Sequence, residues 1–196
     1  MDISKYDYGT KNMTGHVIWI TGLSGAGKTT LAEGLNLRLQ DNHLHPIVLD
    51  GDVLRNIFHK DNFEKQSYSR NSRIKLALKY GLLCKTLSNQ GFTVIIATIA
   101  MFNEVYVWNR ENLKNYFEVY LKVPLDELYL RDRKKIYQRY KNGILKNVAG
   151  LDLPVDEPVS SNVIYDFDLQ SALWNNPANL INSLMEELEV KSFLFK

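Results

Sequence analysis

A three-layer α/β fold, with a parallel sheet between helices, is what this 196-residue chain predicts. Three observations carry the prediction. Short apolar runs alternate with longer stretches of helical periodicity from His16 onward. The runs are continuously apolar, as strands buried on both faces are. Turn residues stand at most changes between the two kinds of stretch. Such alternation calls for right-handed crossovers and a parallel sheet.

Taken in order, residues 1–15 are polar and read as a flexible N-terminal arm, and 16–196 as a single domain. HVIWIT (His16–Thr21), between Gly15 and Gly22, is a buried strand. TTLAEGLNLRLQDN places Leu31, Leu35 and Leu39 on one helical face and ends in turn residues. PIVLD (Pro46–Asp50) is a second strand. RNSRIKLALKYGLLCKTLSNQG is a long helix with Ile74, Leu78 and Leu82 four apart and Gly91 as its stop. FTVIIAT (Phe92–Thr98) and NYFEVYLKV (Asn115–Val123) are the third and fourth strands. PLDELYLRDRKKIYQRYKNG reads as one helix, opening at a proline and stopping at Gly143. SNVIYDF (Ser161–Phe167) is a last short strand. NPANLINSLMEELEV closes with a helix capped by Asn176, with Pro177 at its first position. Trp19, Trp108 and Cys84 are read as packing residues.

Composition narrows the function classes. Hydrophobic residues make up 45% and charged residues 23%, close to ordinary globular usage. A net charge of +2 is too small to call for a nucleic-acid or membrane partner. The single cysteine excludes an intrachain disulfide and fits a reducing compartment. There is no apolar core of a secretion signal and no apolar run near the ~18 residues of a membrane span. The expectation is a cytoplasmic protein.

GLSGAGKT (Gly22–Thr29) matches G-x-x-x-x-G-K-[ST] between a predicted strand and a predicted helix, the setting of a phosphate-binding P-loop. This specifies the α/β fold as the P-loop nucleoside-triphosphate hydrolase type. Gly22, Leu23, Ser24, Gly25, Ala26 and Gly27 would line the loop with inward N–H groups, and Thr30 follows in the helix. Lys28 would reach the β- and γ-phosphates and Thr29 would bind Mg²⁺. The loop holds ATP or GTP, and no guanine-selecting NKxD stretch is found. A small-substrate kinase using ATP is the first reading. A non-catalytic nucleotide switch or interaction protein is the alternative.

LDGDVLR (Leu49–Arg55) follows the second strand, where ligands of open α/β sheets bind. Of Asp50 and Asp52, one could accept a proton from an acceptor hydroxyl and the other organise Mg²⁺ water; the sequence leaves the assignment open. Arg131, Arg133, Lys134 and Lys135 form a basic run, either a solvated helix end or part of a lid over 131–158 that brings cations to a developing phosphoryl charge.

From Val17 to Ile164 the chain resembles the adenylylsulfate kinase family, carried by GLSGAGKTT, LDGDVLR, FEVYLKVPLDELYLRD, RKKIYQRYKNG and VAGLDLPVDEP in the same order. The resemblance implies transfer of the γ-phosphoryl of ATP to the 3′-hydroxyl of a small nucleotide, adenylylsulfate. It implies Lys28, Asp50 and Asp52 as catalytic residues, Thr29 and Asp50 at the metal, and Arg131 on the ATP side. It places Arg55, Arg70 and Lys134 on phosphates or acceptor, with Lys134 on a mobile lid, and Phe63 stacked on the acceptor base. Arg73, Ile99, Ala100 and Asn103 occupy further acceptor-side positions. A homodimer is expected.

The chain departs from the family pattern on the acceptor side. Where the family carries RxENIRR this chain has RNSRIKL, so that Glu and Asn become Ser72 and Arg73. FISP, an aromatic and Arg become Ile99–Asn103, with Ala100 for Ser, Met101 for Pro and Asn103 for Arg. A second base-stacking Phe is Val148. A branch of the wider family phosphorylates the 3′-hydroxyl of cytidine diphosphoramidate for capsule decoration. A pyrimidine needs less stacking surface, and Glu104 or the Asn103 amide oxygen could read a terminal –NH₂. The acceptor is therefore one of these two nucleotides.

Overall fold

The computed structural model describes residues 14–58 and 69–194. In chain order the elements are β1 (Val17–Thr21), α1 (Lys28–Asp41), β2 (Ile47–Asp50), α2 (Gly51–Phe58), α3 (Arg70–Ser88), β3 (Val94–Ala97), α4 (Asn103–Asn112), β4 (Tyr116–Lys122), α5 (Leu125–Arg131), α6 (Ile136–Lys141), β5 (Val163–Asp166), α7 (Ser171–Trp174) and α8 (Pro177–Val190). The strands form one five-stranded sheet in the order β2-β3-β1-β4-β5, with every pairing parallel. Central β1 sets Ile20 beside Ala97 of β3 and Val119 of β4.

Alternate residues of β1 feed two cores. Ile18 and Ile20 pack with Leu31, Leu35 and Leu39 of α1 and Leu184 and Leu188 of α8. Val17 and Trp19 face the other way, onto Leu76, Ala77, Tyr80 and Cys84 of α3. All five β1 residues are buried, which is why the run has no polar alternation. Truncating a fully buried leucine such as Leu35 to alanine costs about 2–5 kcal/mol in this kind of core. The cores fix the carboxyl ends of β1, β2 and β3, and the site is built there. Among the described residues no helix is long and apolar enough to cross a membrane.

All five predicted strands are present, and the Asn176 side chain caps α8 by accepting the Ala178 amide at 3.0 Å. The single helix predicted from Pro124 to Gly143 is two, α5 and α6. The break falls in the basic run, and Lys135 takes a left-handed backbone at φ 53°. Asp132 explains it: from outside the new helix its carboxylate accepts the first-turn amides of Tyr137 at 3.2 Å and Gln138 at 2.8 Å, donors that a helix start leaves unpaired. Helices α2, α4 and α7 are additions to the sequence reading. Residues 1–13 of the arm and Phe63 lie outside the described residues. Thr14 and Gly15 are tied to the domain, their carbonyls accepting from the Asn115 side chain and the Gly15 amide donating to the Ser88 carbonyl.

Candidate active site

The loop after β1 turns into α1 at Gly27, whose φ of 96° is a left-handed conformation that a side chain would strain. Lys28 folds back across the loop and donates to the Leu23 carbonyl at 2.8 Å. Desolvation pulls its pKa down to about 8, the nearby Lys134 charge adds to the shift, and Asp52 and Asp50 oppose it. A half-compensated cation inside a glycine-rich turn is suited to a polyphosphate, whose charge would relieve that strain on Lys28. Thr30 lies exposed in the first turn of α1.

Asp50 ends β2 and joins two elements. Its Oδ1 accepts the amides of Asp52 at 2.8 Å and Val53 at 3.2 Å, which caps α2. Its Oδ2 accepts the Thr29 hydroxyl at 3.0 Å. The expected metal pair, Thr29 and Asp50, is therefore in contact and offers hard oxygen donors. Asp52 sits in the first turn of α2, half-exposed. Burial raises its pKa, but the Lys134 hydrogen bond and the charges of Arg55, Lys134 and Lys28 outweigh this and hold it below the usual carboxylate range. The Arg55 guanidinium lies 3.3 Å from Asp52.

Lys134 reaches Asp52 from the break between α5 and α6. Two further contacts set this segment on the P-loop. The Tyr137 hydroxyl donates to the Ser24 carbonyl at 2.7 Å. At Gly150 (φ 83°) a Cβ would come within 2.8 Å of the Leu23 side chain. Asp152 shapes the turn leading to Gly150 by accepting the amides of Asn147 and Val148, both at 2.7 Å.

Beside Asp52 opens a cleft of about 30 Å³ lined by Arg55, Arg73, Tyr80, Thr98, Ile99, Ala100 and Phe102, among others. Four residues named from the sequence for the acceptor side thus meet in one place. Arg73 donates to the Asn147 carbonyl at 2.8 Å, and the Tyr80 hydroxyl to the Gly51 carbonyl at 3.2 Å. Ala100 carries a φ of 27°, an outlier for a residue with a side chain. A larger hollow of about 210 Å³, between α1, β2 and α2, touches Thr29 and Asp50 but is otherwise mostly aliphatic. Its walls offer an anionic ligand no cation.

Arg70 and Asn103 stand outside the cleft lining. Arg70 lies over the Phe102 ring, 5.2 Å from its centroid, and is paired with Glu104 at 2.7 and 3.1 Å and Asp156 at 2.7 Å. The Asn103 amide donates to the same Asp156 oxygen at 2.9 Å. Arg131 is paired with Glu127 at 2.8 Å, and its guanidinium lies 5.1 Å from the Phe167 ring and 5.4 Å from Trp174. Sequence reasoning missed Asp132, Tyr137, Asp152, Asp156 and this aromatic pair. Asp132 left a signal as an acid five residues before Tyr137 in a run otherwise basic, and Tyr137, Asp152 and Asp156 lie within the stretches that carry the family resemblance.

The family model described as adenylylsulphate kinase matches residues 14–166, a span that includes Lys28, Asp50, Asp52, Lys134 and the Arg70–Glu104–Asp156 cluster. The chain belongs to the adenylylsulphate kinase family. It is an ATP-dependent phosphotransferase. Among relatives of this family, the cytidine diphosphoramidate kinase of Campylobacter jejuni is 42% identical over 149 residues, 76% of this chain and 85% of that one. The adenylyl-sulfate kinase of Gloeothece citriformis is 31% identical over 181 residues, 92% of this chain and 97% of that one. The adenylylsulphate kinase fold is also seen in the APS kinase CysC of Mycobacterium tuberculosis, solved in complex with AMPPNP and APS. That structure superposes with a TM-score of 0.78 at 24% identity, over 90% of this chain and 98% of that one.

Proposed function

We propose that the enzyme transfers the γ-phosphoryl of ATP to the 3′-hydroxyl of cytidine diphosphoramidate. One observation carries the reading. Lys134 reaches Asp52 on α2, and Arg55, paired with Asp52 on the same helix, lines a cleft together with Ile99, Ala100 and Phe102, the stretch that leads into Asn103 and Glu104. A sulfate offers only acceptors and gains nothing from Ala100 or Glu104, whereas a terminal –NH₂ has donors to give. The 42% relative is named for this acceptor, which supports the choice.

In this reaction the acceptor 3′-oxygen bonds to the γ-phosphorus, the bond from that phosphorus to the β,γ-bridging oxygen breaks, and ADP leaves. Both oxygens of Asp50 are engaged, on α2 and on Thr29. Asp52, whose Oδ2 is freed once Lys134 moves to substrate phosphate, is assigned the hydroxyl proton as general base. Asp50 and Thr29 would hold Mg²⁺, which supplies charge neutralisation at the phosphate oxygens when bound. Lys28 stabilises charge on the transferring group, and Lys134 exchanges Asp52 for substrate phosphate. Arg55 and Arg73 hold the anionic linkage of the acceptor. Residues 131–158 act as a lid, and Arg131 contacts the donor nucleotide. The same reading places a homodimer in the cytoplasm, where Cys84 stays reduced.

The test is ADP release from purified enzyme with Mg-ATP and either cytidine diphosphoramidate or adenylylsulfate. A higher kcat/KM for the cytidine nucleotide is expected. Preference for adenylylsulfate overturns the acceptor, and ATP binding without turnover of any acceptor overturns the enzyme reading.

A further inference from the structure

Glu104 carries a charge that its own ion cluster does not need. Asp156 already pairs Arg70 at 2.7 Å and is itself fixed by the Asn103 amide at 2.9 Å. Glu104 adds a second, two-pronged pair on the same guanidinium. One cation thus faces two carboxylates, and the cluster keeps one net negative charge. The Arg70 hydrogen bond holds the Glu104 carboxyl below its ordinary range, so it stays ionised at neutral pH.

The cluster stands at the rim of the acceptor cleft. Phe102 is the shared wall: it lines the cleft and also carries the Arg70 guanidinium against its ring. Glu104 follows two residues later in the first turn of α4, with its side chain 50% exposed. Inside the cleft the charged lining residues are Arg55 and Arg73, both cationic. The acceptor site is therefore polarised, cationic within and anionic at the rim. A phosphate-like linkage suits the inside. An end group made only of oxyanions is repelled at the rim.

We infer that Glu104 is a specificity-determining residue, accepting a hydrogen bond from an N–H group at the end of the acceptor nucleotide and disfavouring acceptors that end in oxygen alone. The inference rests on the acceptor reading given above. A terminal –NH₂ and a terminal –O⁻ have nearly the same size, so shape cannot separate them. Donor and acceptor character can, because a carboxylate accepts and never donates. The side chain of Asn103 could serve either group by turning its amide and so would not discriminate. A site built to pair a polar group rejects the analogue that leaves the partner unpaired far more strongly than a site reading size alone.

Cytidine diphosphate differs from cytidine diphosphoramidate at that one terminal atom, so the two make the test. Wild-type enzyme should favour the phosphoramidate in kcat/KM. Glu104→Gln replaces the carboxylate with an amide that can donate, and should shrink the preference by about 10–100-fold, the scale of a charge-assisted hydrogen bond. Most of the change should lie in the KM for cytidine diphosphate, with the KM for ATP unmoved. Glu104→Asp, which keeps the carboxylate, should keep the direction of the preference. An unchanged ratio in Glu104→Gln, with wild type preferring the phosphoramidate, overturns the role of Glu104 and leaves the acceptor reading standing. Equal loss toward both acceptors shows a structural role and overturns it too. A wild type that prefers adenylylsulfate overturns the acceptor reading, and Glu104 falls with it, since a sulfate has no N–H.

Discussion

The donor and acceptor sides of this site are held together in opposite ways. The donor side is local: Gly22–Gly27 forms one loop between β1 and α1, and Lys28, the first residue of α1, bonds a carbonyl five residues back. The acceptor side is assembled from afar. Arg70 meets Glu104 across 34 residues and Asp156 across 86, and Arg73 meets Asn147 across 74. A loop whose geometry lies in its own backbone tolerates little change. A cleft made of separate side chains can change one partner at a time, and this chain's departures from its family gather there.

The strongest way to break the contrast is Lys28→Ala. Phosphoryl transfer should fall at least about 10²–10³-fold toward every acceptor alike, the scale of losing one preorganised electrostatic contact. Near-normal kcat would remove the loop from the chemistry. Asp52→Asn comes next in its reach beyond the donor side. Loss of a general base should lower kcat by about 10²–10⁴-fold with ATP affinity kept, as measured by titration calorimetry. Asp50→Ala should differ in kind, because Oδ1 of Asp50 also caps α2: about 1 kcal/mol of stability should go with the activity, read as a lower Tm. If the two variants match in Tm, the division of labour between them is wrong.

A smaller effect is expected from Tyr137→Phe. It removes the hydroxyl that donates to the Ser24 carbonyl, a net loss of about 0.5–1.5 kcal/mol, and should raise the KM for ATP several-fold without altering the choice of acceptor. A shift in acceptor preference instead would erase the boundary between the two sides. The smallest effect is a proton count. The pKa of Lys28 is about 8 before any phosphate is bound, and polyphosphate favours the charged form. Near pH 8, ATP binding should therefore take up a fraction of a proton, and affinity should weaken as pH rises through that value. Calorimetry in buffers of different ionisation enthalpy measures it; proton release would contradict it.

What the sequence discloses follows the same division. The sheet and the phosphate loop were legible because their signals are contiguous: apolar runs, then a fixed glycine spacing. Helix α2 was hidden because it begins at Gly51 directly after β2, with no loop, and its cap is the last residue of the strand. Helix α4 was hidden because Phe102 stands at its N-cap and offers no side-chain acceptor. The break at 132–135 went unread because an acid within a basic run looks like solvated surface until the amides it accepts are known. Asp156 and Tyr137 reach partners 86 and 113 residues away, a separation that no window along a single chain reveals.

Asp50 has a consequence for how such an enzyme can be given a new substrate. One carboxylate starts α2 and also holds the Thr29 hydroxyl, so a shift of that helix would tilt the first turn of α1 with it. Asp52 and Arg55 ride on α2 and share its constraint. At the openings of α3 and α4, Arg70, Asn103 and Glu104 are tied to one another and to Asp156. Evolvability is thus unevenly distributed around a single cleft, and libraries seeking other acceptors belong at residues 70–73 and 99–104, with α2 left as it is.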